Sequence, residues 1–258
     1  MPSRHLSLVS CLHEHAVRAM ILAAGLGVRL RPLTETLPKP LLPVAGRPLI
    51  VWNLLLLRRY GLTEAIINLH HLGHLIEQEL GNGSSLGMRL TYSREPVLLG
   101  TGGGLKQAEP FLGGEPFLVL NSDTLLEIDL SAMMAAHRAG HALATMALRA
   151  DADADRWGVL EVDGSNRIVR INGRGRQPEG AVRKRMFAGV HIVHPRLLAA
   201  VPAGRQSSII EAYVGAIQGG ETIQAYEFSG YWSDIGTPER YAQAQRDAEN
   251  GAIDLTTR

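Results

Sequence analysis

The sequence contains one cysteine, Cys11, in 258 residues. A single thiol cannot form an intrachain disulfide or a cysteine-based metal cluster, and cysteine-poor chains are typical of reducing compartments. No apolar run reaches the roughly 20 residues that a membrane-spanning helix needs. We therefore expect a cytoplasmic protein without a membrane partner.

The sequence also lacks an excess of charge of one sign. Its 26 basic and 25 acidic residues give a formal net charge of +1, whereas nucleic-acid-binding domains usually have a basic excess. We therefore expect no nucleic-acid partner, and any phosphate recognition must be local.

Strand-like and helix-like patterns alternate along most of the chain, which predicts an α/β fold. We predict a loosely ordered leader over 1–17, one domain over 18–250 and a tail over 251–258. Within the domain, 18–150 is interpreted as a nucleotide-binding half and 151–250 as a substrate-binding half. Residues 100–108 are predicted to be a Gly-rich loop entering a helix, and 173–184 a flexible loop.

The most informative segment is LAAGLGVRLRPL at 22–33. Gly25 and Gly27 permit backbone angles closed to other residues, and consecutive N–H groups in such a turn bind anions. Arg29 adds a guanidinium that matches phosphate oxygens, and Lys39 is restricted by a proline on each side. The dinucleotide-binding fingerprint and the Walker loop both fail to match here. The segment indicates a polyphosphate site, and a plain turn with surface arginines is the alternative.

Two aspartates follow patterns typical of a metal site. Asp123 comes after the apolar segment 116–120, and the carboxyl ends of such strands are where open α/β sheets bind ligands. Asp234 lies far away in sequence, within WSDIGT. Magnesium is usually held by one or two carboxylates together with phosphate oxygens and water, so the pair is a candidate Mg²⁺ site. Helix capping is the alternative for either residue, and Asp129 is predicted to be such a cap.

The segment LAAGLGVRLRPLTETLPKPLLPVAGRPLI resembles the signature of the sugar-1-phosphate nucleotidyltransferase family. Further matches at LGTGGG, NSD and WSDIGT extend the resemblance over about 19–245. It implies a Rossmann-like, mixed but mostly parallel twisted sheet flanked by helices, the nucleotide-diphospho-sugar transferase fold. The chain ends soon after the last predicted helix, so no C-terminal β-helix is expected.

The resemblance also implies roles for individual residues. The glycine turn would hold the triphosphate, Arg29 would neutralise the leaving pyrophosphate, and Lys39 would contact the phosphates at the reacting centre. Asp123 and Asp234 would hold Mg²⁺. The predicted nucleotide-binding residues are Ala23, Ala24, Gly25, Gly27, Glu95, Gly100, Thr101 and Gly102. Glu95 is placed against the base, where a carboxylate is compatible with both UTP and GTP.

The sugar-binding residues are less well marked. Many relatives have Glu-Lys-Pro where this chain has Asn172-Gly173-Arg174, which removes the clearest sugar contacts. We place Asn172, Gly189 and Trp232 at the sugar, with core packing as the alternative for Trp232. The stretch 156–159, RWGV, resembles a family segment near the substrate, and the start of a strand is its alternative.

These residues predict an enzyme that joins a nucleoside triphosphate to a sugar 1-phosphate and releases pyrophosphate. In form the chain is most similar to the N-acetylmuramate-1-phosphate uridylyltransferase type, and nearly as similar to the mannose-1-phosphate guanylyltransferase type. UTP is favoured, and GTP with mannose 1-phosphate is the alternative. A silent regulatory subunit of the same fold, a transferase acting on phosphocholine, and a possible homo-oligomer all stay open.

Overall fold

The computed structural model describes residues 17–151 and 158–253. The leader over 1–16, the stretch 152–157 with Arg156 and Trp157, and the end of the tail lie outside the described residues. The last described residue, Ile253, falls in the predicted tail and is buried against the core.

Fourteen strands are present in the described residues. They are β1 (Ala19–Leu22), β2 (Pro43–Val44), β3 (Arg47–Pro48), β4 (Glu64–Leu69), β5 (Arg89–Arg94), β6 (Phe117–Asn121), β7 (Thr124–Leu126), β8 (Ala144–Arg149), β9 (Val159–Val162), β10 (Ile168–Ile171), β11 (Arg174–Gly175), β12 (Arg183–Val193), β13 (Ile223–Glu227) and β14 (Trp232–Asp234).

Six α-helices accompany them in the same ranges. They are α1 (Leu49–Arg59), α2 (Gly73–Leu80), α3 (Gly100–Leu112), α4 (Leu130–Gly140), α5 (Ile209–Gln218) and α6 (Pro238–Glu249). None of the described helices is long and apolar enough to cross a membrane.

The main sheet is mixed, as predicted. Its order is β11-β10-β9-β12-β6-β1-β4-β5, with β8 paired to β12 and to β13. The run β6-β1-β4-β5 is parallel, whereas β12 pairs antiparallel with β6, β8 and β9. The parallel strands β6, β1 and β4 all end at one edge, where Leu22 lies beside both Asn68 and Asn121 in the register. This edge is where an open α/β sheet binds its ligand.

The core lies on both faces of this sheet. Strand side chains alternate between faces, so Ala19 and Ile21 of β1 join one cluster and Met20 joins the other. The first cluster packs with α1, α2, α4 and α6, and the second with α3 and α5. The helices therefore flank the sheet, and the loops at its carboxyl edge are left free to form a cleft.

Three local predictions were wrong. Residues 100–108 form the start of α3 and not a loop. Within the predicted flexible loop at 173–184, residues 174–175 and 183–184 are strand. The segment 230–236, which the sequence predicts to be a turn at the site, contains a strand, β14, that pairs with β7 in a separate ladder. Short strands in Gly- and Arg-rich sequence depend on pairing with distant segments, which local patterns do not reveal.

Candidate active site

A cleft of about 300 Å³ opens at the carboxyl edge of the parallel strands. Its lining comes from five segments that are distant in sequence: Leu22, Ala23, Ala24 and Gly25; Lys39 and Pro40; Asn68; Leu98, Gly100 and Thr101; and Asn121, Ser122 and Asp123. A larger cavity of about 500 Å³ lies between α1 and residues 226–230, and neither Lys39 nor Asp123 lines it. The smaller cleft therefore contains the predicted chemistry.

The predicted phosphate turn follows β1 directly. Gly27 has a φ of +64°, and a Cβ there would lie 3.0 Å from the Thr34 side chain. The Thr34 hydroxyl, itself buried, donates to the Gly27 carbonyl at 2.8 Å. His71 Nε2 lies 3.0 Å from the Thr34 carbonyl oxygen. These contacts of Thr34 and His71 hold the turn in place, and exposed Gly25 lines the cleft.

One predicted donor in the turn is already used inside the protein. The Ala23 N–H donates to Asn68 Oδ1 at 2.8 Å, so Ala23 lines the cleft without offering its N–H to a phosphate. This bond forms because β1 ends beside an amide side chain of β4, and the role of Ala23 at the nucleotide stays a prediction. Ala24 and Gly25 are the next positions at which an anion can meet the turn.

Lys39 reaches from its proline-flanked position to Asp123. Pro38 has an extended backbone, and Lys39 begins a short 3-10 turn that includes Pro40. Its Nζ donates to Asp123 Oδ2 at 2.5 Å, and only 11% of its side chain is exposed. The sequence prediction placed a lysine and an aspartate at one centre, and the structure brings them into contact.

The two aspartates meet across the small ladder of β7 and β14. Asp234 is opposite Thr124 in the register, and Ile235 N donates to the Asp123 carbonyl oxygen at 2.8 Å. Arg240 Nη1 lies 3.2 Å from Asp234 Oδ1. Arg29 reaches the same corner, since a Cβ at Gly236 would lie 3.3 Å from its Nη2 and would also meet Asp234.

The electrostatics of this corner fit a cation. Burial, and then the like charge of Asp123, raise the pKa of Asp234 above its usual range, while Lys39, Arg240 and Arg29 act in the opposite direction. Two neighbouring carboxylates are the donors that a hard divalent ion prefers. No group of three or more His, Cys, Asp or Glu side chains in residues 17–151 and 158–253 is arranged to hold a metal. An ion at this pair would therefore need phosphate oxygens and water to complete its coordination.

The second glycine segment has a different role from the predicted one. Gly100 and Thr101 line the cleft, but Gly102 is buried against residues 207–209, where a Cβ would lie 2.8 Å from Ser207 Oγ. Gly102 N donates to the Ser207 carbonyl oxygen, and Ile209 N donates to Thr101 Oγ1. Gly102 is therefore accounted for by this packing, and its contact with the nucleoside stays a prediction. Its missing side chain admits a segment of the second half of the chain.

Glu95 is also placed differently. It is only 3% exposed and does not line the cleft. One carboxylate oxygen accepts from Asn68 Nδ2 at 2.7 Å and the other from Leu99 N at 2.9 Å. The structure therefore directs the Glu95 carboxylate toward Asn68 and the start of α3, and the contact of Glu95 with a base stays a prediction.

Of the predicted sugar contacts, Gly189 lies at the site. A Cβ there would lie 2.9 Å from Thr124 Oγ1 and 3.2 Å from Asn121 Nδ2, beside Asp123. Trp232 is half-buried in β14, and its indole N–H donates to the Ala188 carbonyl oxygen at 3.0 Å. Asn172 belongs to the outer hairpin, where its N–H donates to Val159. The strands β9 and β12 separate it from β6, so the structure does not bring it to the aspartates.

Sequence reasoning missed two residues of the site, Asn68 and Arg240. Asn68 ends an apolar strand, and a buried polar residue at the carboxyl end of a parallel strand is a usable signal. Arg240 is brought to Asp234 by the start of α6, where Thr237 caps the helix and Pro238 occupies its first turn. Thr-Pro after Gly236 predicts this helix start, but not the direction of the Arg240 side chain.

Comparison with known proteins agrees with this geometry. The family model of nucleotidyl transferases matches residues 18–251. An N-acetylmuramate alpha-1-phosphate uridylyltransferase of Neisseria meningitidis serogroup B is 39% identical over 89% of this chain and 97% of its own. A mannose-1-phosphate guanylyltransferase of Mycobacterium tuberculosis is 31% identical over 92% of this chain, which spans 66% of that protein.

A solved structure of UDP-glucose pyrophosphorylase from Acinetobacter baumanii has the same fold. Its TM-score is 0.77 at 20% identity, and the alignment covers 93% of this chain and 96% of that one. The chain belongs to the nucleotidyl transferase family, whose members generally depend on a divalent metal.

Proposed function

We propose that this protein is a sugar-1-phosphate nucleotidyltransferase that uses UTP and N-acetylmuramate 1-phosphate, or a closely related sugar 1-phosphate. The observation that carries the proposal is the convergence of Lys39, Arg29, Asp123 and Asp234. Lys39 and Asp123 line the cleft together with Gly25, and Asp234 and Arg29 lie beside them. The choice of UTP and of the sugar is supported by the meningococcal relative, which this chain matches over almost its whole length.

The reaction needs charge compensation more than acid–base chemistry. An oxygen of the sugar phosphate attacks the α-phosphorus of the triphosphate, a P–O bond forms, and the bond to the leaving pyrophosphate breaks. The attacking oxygen is already anionic at neutral pH, so the protein need not remove a proton. Its task is to align two anions and offset their repulsion, as in phosphoryl transfer generally.

The residues around Asp123 and Asp234 each contribute to this alignment and charge compensation. The turn at Ala24 and Gly25 presents backbone to the triphosphate, and Arg29 compensates the charge of the leaving pyrophosphate. Lys39 lies beside the reacting phosphates and leaves Asp123 as they bind. Mg²⁺, held by Asp123 and Asp234, would supply further positive charge there. Gly189 packs closely against Asn121 and Thr124, and its backbone would line the sugar side of the site.

The test is direct. The purified protein is incubated with Mg²⁺, with UTP, GTP or dTTP, and with a panel of sugar 1-phosphates, and pyrophosphate release is measured. We expect release with UTP and N-acetylmuramate 1-phosphate, and none from the Asp123→Ala variant. A preference for GTP with mannose 1-phosphate would replace the assignment of UTP and N-acetylmuramate 1-phosphate. The absence of pyrophosphate release with every substrate pair would favour a non-catalytic subunit. The cytoplasmic location and the homo-oligomer stay predictions.

A further inference from the structure

A buried chain of hydrogen bonds joins the two loops that border the cleft. Ala23 N donates to Asn68 Oδ1 at 2.8 Å, Asn68 Nδ2 donates to Glu95 Oε1 at 2.7 Å, and Leu99 N donates to Glu95 Oε2 at 2.9 Å. Asn68 is 2% exposed and Glu95 is 3% exposed. The chain thus runs beneath the cleft from the phosphate turn to the start of α3.

The polarity of this chain is fixed at both ends. Ala23 and Leu99 contribute backbone N–H groups, which can only donate. The side chains at 68 and 95 must therefore each accept one bond, and one of them must also donate to the other. An amide at 68 with a carboxylate at 95 satisfies this condition. Two amides would oppose two NH₂ groups, and two carboxylates would oppose two anionic oxygens.

Helix α3 is built to fit against this pair. A Cβ at Gly104 would lie 2.7 Å from Glu95 Oε1 and 2.8 Å from Asn68 Nδ2. Gly104 is buried inside the helix, where glycine is otherwise unfavourable. The helix therefore keeps a glycine where the pair makes contact with it, and the pair in turn fixes how close Gly100 and Thr101 come to the phosphate turn.

We propose that Asn68 and Glu95 are a positioning pair that sets the separation of the phosphate turn and the Gly100–Thr101 segment. Glu95 acts on the nucleotide through this pair and not by contact with the base. The inference rests on the proposed nucleotide site. The pair acts by preorganisation. A cleft that is already held at the width needed for binding loses less free energy when it becomes ordered around a ligand.

The test exchanges the amide and the carboxylate. Asn68→Asp and Glu95→Gln each break the polarity of the chain, whereas the double variant restores it with isosteric side chains. Binding of Mg·UTP is measured by calorimetry well below the melting temperature of each variant, and GTP and dTTP serve as comparators. Leaving a buried group unpaired should weaken Mg·UTP binding about tenfold in each single variant. The double variant should return to within about threefold of wild type, with the base preference unchanged.

Several results would overturn the pair. The first is a double variant whose loss of Mg·UTP affinity is the product of the two single losses. The second is single variants that bind Mg·UTP like wild type although their melting temperatures fall. The third is a change in base preference in Glu95→Gln that the second substitution does not reverse. If neither single variant folds, the double variant decides: binding like wild type supports the pair, and failure to fold overturns it. A wild-type protein that binds none of the three triphosphates would instead refute the proposed function.

Discussion

Lys39 contacts a predicted metal ligand directly, with its Nζ at 2.5 Å from Asp123 Oδ2. Its ammonium compensates the Asp123 carboxylate before substrate binds and the phosphates afterwards. Lys39→Ala should therefore lower kcat by about 10²–10³, by analogy with the loss of one preorganised charge at an oxyanion site. Pyrophosphate release at saturating substrate measures this effect.

The matched control for this change is Lys106→Ala. Lys106 pairs with Glu109 one turn further along α3, and a pair of this spacing within a helix contributes only about 0.2–0.5 kcal/mol. Its kcat should stay at the wild-type value. A folded Lys39→Ala protein that also turns over at the wild-type rate would contradict the assigned role.

Asp234 differs from Asp123 in its neighbours, because Arg240 contacts it at 3.2 Å and burial raises its pKa. Asp234→Asn removes one of the two carboxylates offered to a divalent ion and keeps the shape of the side chain. We expect the Mg²⁺ concentration for half-maximal turnover to rise at least about tenfold, since Mg²⁺ is held by few protein ligands. Direct binding of Mn²⁺, followed by electron paramagnetic resonance, should weaken in parallel.

Asp129→Asn is the control for this substitution. Asp129 caps α4 by accepting from Ala132 N at 2.9 Å, as predicted from the sequence, and asparagine caps equally well. Its Mg²⁺ dependence should match wild type. Unchanged Mn²⁺ binding in Asp234→Asn would remove Asp234 from the metal site.

At the scale of elements, α3 and α5 each contain an interior glycine with a different environment. A Cβ at Gly104 of α3 would press on Glu95 and Asn68, whereas a Cβ at Gly215 of α5 meets nothing within 4 Å. Gly215→Ala should raise the free energy of unfolding by about 0.5–1 kcal/mol through helix propensity alone. Gly104→Ala should not gain this stability, and should weaken Mg·UTP binding about tenfold by displacing the pair.

Urea unfolding and calorimetry of the two variants check this contrast. Equal stabilisation of both, with wild-type nucleotide binding in both, would show that α3 tolerates a side chain at 104. It would also weaken the case that the helix is shaped around Asn68 and Glu95.

The docking of residues 205–209 on the start of α3 is the second feature at this scale. Gly100, Gly102 and Gly103 leave no room for a Cβ because this segment lies against them, at 2.6 Å, 2.8 Å and 2.5 Å respectively. The glycines therefore permit the second half of the chain to pack against the start of α3, next to Gly100 and Thr101, which line the cleft. The positions of these glycines in the sequence are explained by the packing of residues 205–209 on the start of α3, and not by α3 alone.

Over the whole molecule, the parts predicted well are those with a local cause. The phosphate turn follows from Gly25, Gly27 and a proline-flanked Lys39, and the apolar segment EAIINL predicts a strand over 64–69, where β4 is observed. The place of Asp123 follows because carboxyl ends of parallel strands meet at one edge, whereas the roles of Asp234 and Lys39 beside it come from the family resemblance. The features that the local sequence does not predict depend on contacts with other segments. The Glu95 carboxylate is buried because it accepts hydrogen bonds from Asn68 and from Leu99 N, and no pattern near residue 95 indicates these partners.

The free energy of unfolding should decrease as the pH is lowered, and this decrease should begin before the carboxylates are fully protonated. Burial, and then the nearby charges of His194 and Arg138, lower the pKa of His137 to about 4. Burial lowers the pKa of His191 to about 3. His137 bonds Thr145 at 2.9 Å between α4 and β8, and His191 contacts Tyr213 of α5, so neutral imidazoles are part of the packing on both faces of the sheet.

The direction follows from proton binding. An unfolded histidine takes up a proton near pH 6.5, whereas folded His137 stays neutral down to about pH 4. Between these values the unfolded state binds more protons, so the free energy of unfolding falls as the pH falls. His137→Asn should therefore show a shallower decline between pH 7 and 4.5 than wild type in urea unfolding. His141→Asn, at the exposed end of α4 where asparagine suits the positive φ of 46°, should keep the wild-type slope. Because both variants retain every carboxylate, an equal slope in His137→Asn and wild type would mean that this histidine does not control the acid sensitivity.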